Sequence, residues 1–169
     1  MKKTRVFLVL AAVLILSLTG WRMWPHTFRA ITSSEEETFR EISIHLTEMG
    51  VTDGMPVIKV YKLVIDAPDD EHYTAVMSIL EGTSYRSDFR NILPWKSFSL
   101  GSNSGKITHS ATVTLIGGNG DICEIFFADN HLVGLSKNRQ NGFNRYHPSD
   151  RSTLDQIADY TIEHGMLQK

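Results

Sequence analysis

Cysteine is almost absent from this sequence. Cys123 is the only one among 169 residues, so the chain cannot form an internal disulfide. A single thiol also excludes zinc sites that are built from paired cysteines. The seven histidines are widely separated and form neither an H-E-x-x-H motif nor an i, i+4 pair. The sequence therefore predicts no metal site and no cofactor.

Acidic residues are absent from the first part of the chain. All nineteen lie after residue 30, whereas five of the seventeen lysines and arginines lie before it. Residues 31–169 therefore carry twelve basic and nineteen acidic side chains, a net charge of −7 with neutral histidines. Nucleic acid is excluded as a partner, because its binding needs basic clusters that neutralise phosphates. The same charge also argues against peripheral attraction to anionic lipid.

A basic segment followed by an apolar run opens the sequence. Lys2, Lys3 and Arg5 precede a run without charge or proline that begins at Val6 and extends to Trp21. This is the pattern of a secretory signal or a signal anchor. As a helix these sixteen residues would rise about 24 Å, somewhat less than the roughly 30 Å hydrocarbon core of a bilayer.

The apolar run has two possible fates. Signal cleavage needs small residues at the recognition positions, and Ser17 and Thr19 fit them only weakly. We expect an uncut anchor that contacts the lipid bilayer, with Trp21 and Trp24 at one membrane interface. The alternative is a cleaved signal and a secreted protein. In the first case the basic N-terminus stays in the cytoplasm and the domain lies outside, an arrangement compatible with a bacterial envelope.

Residues 39–49 are open to two interpretations. Ile42, Ile44 and Leu46 alternate with polar residues, as in a strand, while other apolar spacings in this segment fit a helix. We favour the strand because the run is rich in β-branched residues. A clearer strand, from Val57 to Ile65, follows after a turn and could pair with it.

The remaining pattern predicts an α+β domain. Residues 107–135 form an antiparallel meander with two-residue turns at Asn119-Gly120 and Asp129-Asn130. One helix ends near Gly82, and a second occupies residues 149–164. We therefore expect a largely antiparallel sheet of about five to six strands with two helices packed on one face, preceded by an N-terminal transmembrane helix.

Three further segments complete this prediction. Residues 95–100 are a possible short strand, whereas residues 84–94 and 136–148 are polar and predicted to be loops. Residues 24–34 are predicted to form a stalk. The chain thus divides into an anchor and stalk, residues 1–30, and one extracytoplasmic domain, residues 31–169.

Two side chains of the meander are candidates for catalysis. Cys123 would need a neighbouring base to become a nucleophile. With two-residue turns it faces Ile116 and Ser136, so we expect a buried, inert thiol. Glu124 would then share a face with apolar side chains, where a carboxyl group can act as a general acid. A three-residue turn would shift the register and move it, and we expect Glu124 to reach water.

Positive charge is concentrated in the two predicted polar loops. Arginine forks bind carboxylate and phosphate groups, and aromatic rings suit sugar or peptide faces. The ordinary alternative is that these arginines pair with the domain's own acids. The candidate binding residues are Arg86, Arg90, Trp95, Arg139, Arg145, Tyr146 and His147.

The absence of a catalytic motif favours a binding function. We predict a membrane-tethered extracytoplasmic binding domain, whose partner is an envelope protein or a cell-wall polymer. The alternatives are a small envelope hydrolase or transferase that uses Glu124 or a histidine, and a cleaved, secreted inhibitor-like protein.

Overall fold

A computed structural model describes residues 24–32, 38–92, 108–129, 131–138 and 143–168, together with residues 7, 9–14, 17 and 20. These residues form an α+β fold with one large antiparallel sheet, which confirms the predicted fold class. The strands are β1 (Phe39–Thr52), β2 (Met55–Ile65), β3 (Tyr85–Ser87), β4 (Thr108–Gly117), β5 (Ile122–Asp129), β6 (Leu132–Lys137), β7 (Asn144–Pro148) and β8 (Met166–Gln168). The helices are α1 (Phe28–Thr32), α2 (Glu71–Glu81), α3 (Thr153–His164) and a 3₁₀ helix (Phe89–Ile92).

The strands lie in the order β3-β7-β6-β5-β4-β1-β2-β8. The described residues contain eight strands, so the predicted number of five to six is too low. The three additional strands, β3, β7 and β8, have three to five residues each. Such short segments contain too few residues for alternation to be recognised. Two of them lie in predicted loops, residues 84–94 and 136–148, and the predicted strand at residues 95–100 lies outside the described residues.

The β1–β2 hairpin confirms the strand interpretation of residues 39–49. Thr52 pairs with Met55, which leaves a two-residue turn at its tip. The turn residues, Asp53 and Gly54, have φ angles of 53° and 76°. Positive φ at both positions is the geometry of a type I′ turn, whose twist matches that of antiparallel strands.

One face of the sheet forms the core. Ile42, Ile44 and Leu46 of β1 are at most 1% exposed, and the residues between them face the other side. Burial of each such side chain contributes about 1.5–3 kcal/mol. Helices α2 and α3 cover this face and complete the core with Tyr73, Val76, Met77, Leu80, Leu154, Ile157 and Ala158.

Both longer helices begin and end near the signals in the sequence. The side chain of Asp70 caps α2 by accepting a 2.8 Å hydrogen bond from the His72 backbone N–H, and Gly82 follows the last turn. Ser152 precedes α3 and Gly165 follows it. Asp70 thus satisfies a backbone group that the start of a helix leaves unpaired, whereas the Ser152 side chain makes no capping hydrogen bond to α3.

The turn between β4 and β5 has three residues rather than the predicted two. The Gly117 N–H donates to the Asp121 carbonyl at 2.8 Å, and residues 118–120 lie between them. Gly120 has a φ of 86°, the left-handed conformation that closes a three-residue hairpin loop. This loop shifts the pairing of β5 by one residue.

The neighbours of Cys123 change with that shift. Cys123 lies opposite Leu115 and Lys137, so the predicted partners Ile116 and Ser136 are wrong. The pairing of β5 with β6 is also irregular near the end of β5. A shift of one residue matters because it exchanges the two faces of a strand relative to its neighbour.

Residues 26–32 pack against the domain instead of forming a stalk. His26 and Tyr85 exchange two backbone hydrogen bonds of 2.8 Å at the outer edge of β3. The Phe28 side chain is 1% exposed and its ring centroid lies 5.9 Å from that of Tyr85. This part of the predicted stalk, residues 24–34, therefore belongs to the folded unit.

The apolar N-terminal run is helical at each of its described positions. Its predicted span, residues 6–21, lies partly outside the described residues. No helix among the described residues is long and apolar enough to cross a membrane. Five apolar side chains of this run are 54–72% exposed: Phe7, Val9, Leu10, Val13 and Leu14.

Replacing Phe28 with alanine should lower the free energy of unfolding by about 3–5 kcal/mol, the usual cost of emptying a phenylalanine site in a core. Phe7→Ala is the matched control and should change it by less than about 0.5 kcal/mol, because that side chain is exposed. Denaturant titration of the full-length chain in detergent measures both. Equal, small effects would show that residues 26–32 lie outside the cooperative unit.

Candidate binding surface

Short segments of the two predicted basic loops lie side by side in the sheet, as strands β3 and β7. Strands β3 and β7 pair antiparallel, with Arg86 directly opposite His147. Arg145 lies two residues before His147 in β7 and therefore points to the same face. This is the face away from the helices, because Tyr85 of β3 and Tyr146 of β7, which alternate with these residues, pack on the core side. The structure thus brings together three of the predicted binding residues.

A buried carboxylate organises this surface. Asp88 is 7% exposed, and its Oδ1 accepts a 2.8 Å hydrogen bond from the Arg90 backbone N–H. Its Oδ2 lies 3.2 Å from Nε2 of His147. Arg90 is therefore held beside the β3–β7 pair. We call the group formed by Arg86, Arg90, Arg145 and His147 the basic edge.

His147 lies between two hydrogen-bond acceptors. Its Nδ1 is 2.7 Å from the His131 carbonyl oxygen, and its Nε2 faces the Asp88 carboxylate. A neutral imidazole has one N–H, so only the imidazolium donates to both. An Asp–His pair acts as a catalytic base when the second ring nitrogen faces a nucleophile. Here that nitrogen faces the His131 carbonyl oxygen rather than a nucleophile.

The side chain of Asn91 continues the pairing of β7 beyond the end of β3. Its Oδ1 accepts from the Arg145 N–H at 2.8 Å, and its Nδ2 donates to the Arg145 carbonyl at 2.7 Å. Nδ2 also lies 2.9 Å from the hydroxyl of Ser87. The amide thus satisfies backbone groups that a neighbouring strand would otherwise pair. Asn91 and Asp88 are not among the predicted binding residues, because bonds from a side chain to the backbone leave no periodic pattern in a sequence.

The predicted residues differ in what they can offer to a ligand. Arg86 and Arg90 are exposed, and the His147 side chain is 48% exposed. Arg86 makes no ion pair with the described residues. Arg145 is only 7% exposed, so it supports the surface from within. Two further candidates lie outside the described residues: Trp95 and Arg139.

Tyr146 lies on the opposite side of β7 from the basic edge. Alternation along the strand turns it toward the helices, where it borders a pocket of about 190 Å³. This volume is below the roughly 300–1,000 Å³ of typical small-molecule sites. The polar side chains that line the pocket are His26, Ser87, Asn91, Asn144 and Tyr146.

The two candidates for catalysis in the meander, Cys123 and Glu124, are consecutive in β5 and therefore point to opposite faces of the sheet. Glu124 lies opposite Thr114 and Ser136, so the predicted apolar neighbours across the sheet are wrong. Cys123 is buried as predicted, and burial raises the pKa of its thiol to about 11. Among the described residues, no group of three or more histidine, cysteine, aspartate or glutamate side chains could hold a metal ion.

The chain matches no protein-family model, no curated protein and no solved structure. The feature that distinguishes the basic edge is its sign: it is a local surplus of positive charge on a domain that carries −7.

Because its pKa is raised to about 11, the Cys123 thiol should react slowly in the folded protein. From the thiolate fraction alone, we expect alkylation at pH 7.5 to be roughly 300-fold slower than for a thiol with the ordinary pKa near 8.5. Iodoacetamide labelling followed by intact mass measures the rate, with the urea-unfolded chain as reference. Similar rates in both states would contradict the burial of Cys123.

Replacing Asn91 with aspartate tests its backbone role. The variant keeps an acceptor for the Arg145 N–H but places a carboxylate oxygen against the Arg145 carbonyl. We expect the free energy of unfolding, measured by denaturant titration, to fall by about 1–3 kcal/mol, because the donor to the Arg145 carbonyl is lost. Gln168→Glu makes the same chemical change at an exposed site on β8 and should leave the free energy of unfolding unchanged. An unchanged free energy of unfolding in Asn91→Asp would exclude this role.

Proposed function

We propose that this chain is a membrane-tethered extracytoplasmic binding domain that presents the basic edge to an anionic partner. The observation that supports this most directly is that Arg86 lies opposite His147, and that Asp88 contacts both His147 and the backbone N–H of Arg90, on a net acidic domain. Guanidinium groups bind phosphate and carboxylate with paired hydrogen bonds. The proposed partner is an envelope component that carries such groups, for example an acidic protein patch or a cell-wall polymer.

The tether is supported by the N-terminal run. Its described residues are helical and expose apolar side chains, and Trp24, which follows the run, is 70% exposed. An exposed apolar helix needs lipid or another apolar partner. Lys2, Lys3 and Arg5 favour a cytoplasmic N-terminus and an external domain. Since His26 already pairs with Tyr85, the proposed anchor segment is confined to the residues before it.

An enzyme receives less support from this geometry. Cys123 is protonated at neutral pH because burial raises its pKa to about 11. The second ring nitrogen of His147 faces a carbonyl, and Glu124 faces hydroxyl side chains across the sheet. A secreted form of the same binding domain remains the alternative if the signal is cut.

Expression in a bacterial host with an envelope tests the tether. We expect the chain in the membrane fraction with its full mass of 19.1 kDa, retained after alkaline carbonate washing and released by detergent. Leu10→Arg should reduce retention, because an arginine at a helix centre costs about 2.5–3.5 kcal/mol on insertion. The matched variant Leu10→Ile should not. A shortened product, cut near residues 19–30 and found outside the membrane, would contradict the tether and favour the secreted alternative.

A further inference from the structure

We propose that the anionic partner of the basic edge is the layer of phosphate headgroups of the same bilayer that holds the N-terminal run. The domain would then stand with its β3 edge against the membrane. This inference rests on the proposed function, since it needs an uncut anchor. Contact with the headgroups would also fix the orientation of the sheet relative to the membrane.

The length of the tether is the first argument. Four residues, 22–25, separate Trp21 from His26, and a fully extended chain advances at most about 3.3–3.6 Å per residue. The five steps from Trp21 to His26 therefore cover about 18 Å at most. The headgroup layer takes up about 5–8 Å of this length. His26 must lie within roughly 10–13 Å of the membrane surface if the run ends at Trp21.

The place where the tether joins the sheet is the second argument. His26 pairs with Tyr85, and the next residue in β3 is Arg86. Neighbouring strands lie about 4.8 Å apart, so Arg86 is about one strand spacing from His26 and His147 about two. The short tether therefore brings the basic edge, rather than any other part of the sheet, to the headgroups.

The distribution of charge is the third argument. Asp155, Asp159 and Glu163 are exposed and recur every four residues along α3. Helix α3 packs over β4, β2 and β1, on the other face and in the half of the sheet away from β3. An anionic surface attracts basic residues only within about a Debye length, near 8 Å at physiological ionic strength. The net charge of −7 therefore does not by itself decide the contact, because the acids of α3 contribute to it and α3 lies in the half of the sheet away from β3.

The same geometry disfavours a large acidic protein at the basic edge. Such a partner would have to fit between the edge and a bilayer that the tether holds within roughly 10–13 Å. Headgroup phosphates already occupy that space, and arginine recognises phosphate by paired hydrogen bonds. Headgroups are therefore the partner that both the tether and the charge favour.

Paramagnetic broadening in nanodiscs tests the orientation. Isotope-labelled full-length chain is placed in nanodiscs of phosphatidylcholine alone or mixed with phosphatidylglycerol, each with a trace of gadolinium-chelating lipid. We expect the Arg86 and His147 amides to broaden strongly in the anionic discs, and the Leu167 amide of β8 to broaden little. The double variant Arg86→Gln/Arg90→Gln should reduce the broadening at His147 about threefold or more, because it removes two charges that the surface attracts.

The control is Lys59→Gln/Lys62→Gln, which removes the same charge from β2 near the opposite edge and should leave the broadening unchanged. The amide spectrum reports folding of each variant. Failure of the wild-type chain to enter nanodiscs would overturn the proposed tether itself. A different outcome would overturn the headgroup contact alone. In it the chain enters the nanodiscs, but the broadening at Arg86 and His147 is the same in both lipid mixtures, and the broadening at His147 is the same with or without the two arginine substitutions. The proposed tether would then still hold.

Discussion

Strand β1 is hydrogen-bonded along both edges, and this double pairing determines the faces of its neighbours. Ile42 lies opposite Ile65 of β2 and Leu115 of β4, and all three are buried. A shift of one residue in either ladder would turn an apolar set toward solvent. The helices can cover only the face that β1 defines, so the side chains that alternate with this buried set are left for the other face.

The basic edge follows from the same alternation. Once Tyr85 and Tyr146 face the helix side, Arg86, Arg145 and His147 must face away from it. Strand β3 is only three residues long, so it can pair with only part of β7. Asn91 pairs with β7 beyond the end of β3. On the outer side of β3, His26 pairs with Tyr85. A short, covered edge is also a common protection against unwanted strand pairing.

Alternation predicted β1, β2 and the meander from the sequence, and capping signals predicted α2 and α3. It could not predict β3, β7 or β8, whose three to five residues carry no readable period. The G-G-N-G segment allows both two- and three-residue turns, and the left-handed Gly120 decides between them. Arg86 and His147 were predicted as binding residues because positive charge is concentrated in their segments. Their proximity could not be predicted in this way, because it arises from strand pairing between segments that are distant in the sequence. Tyr146 was grouped with Arg145 and His147 in one predicted loop, because an unrecognised strand has no predicted sides.

The two ends of the described domain lie at opposite edges of the sheet. His26 pairs outside β3, and β8 forms the last strand on the other side. Seven strand spacings of about 4.8 Å, roughly 34 Å, separate the edge strands. A mechanical load between a held N-terminus and Gln168 would act perpendicular to the strands. It would break the hydrogen bonds between paired strands one after another, starting from one edge. The three-residue pairing of β8 with β2 would yield first, so the sheet would peel from its C-terminal edge while the core stays intact.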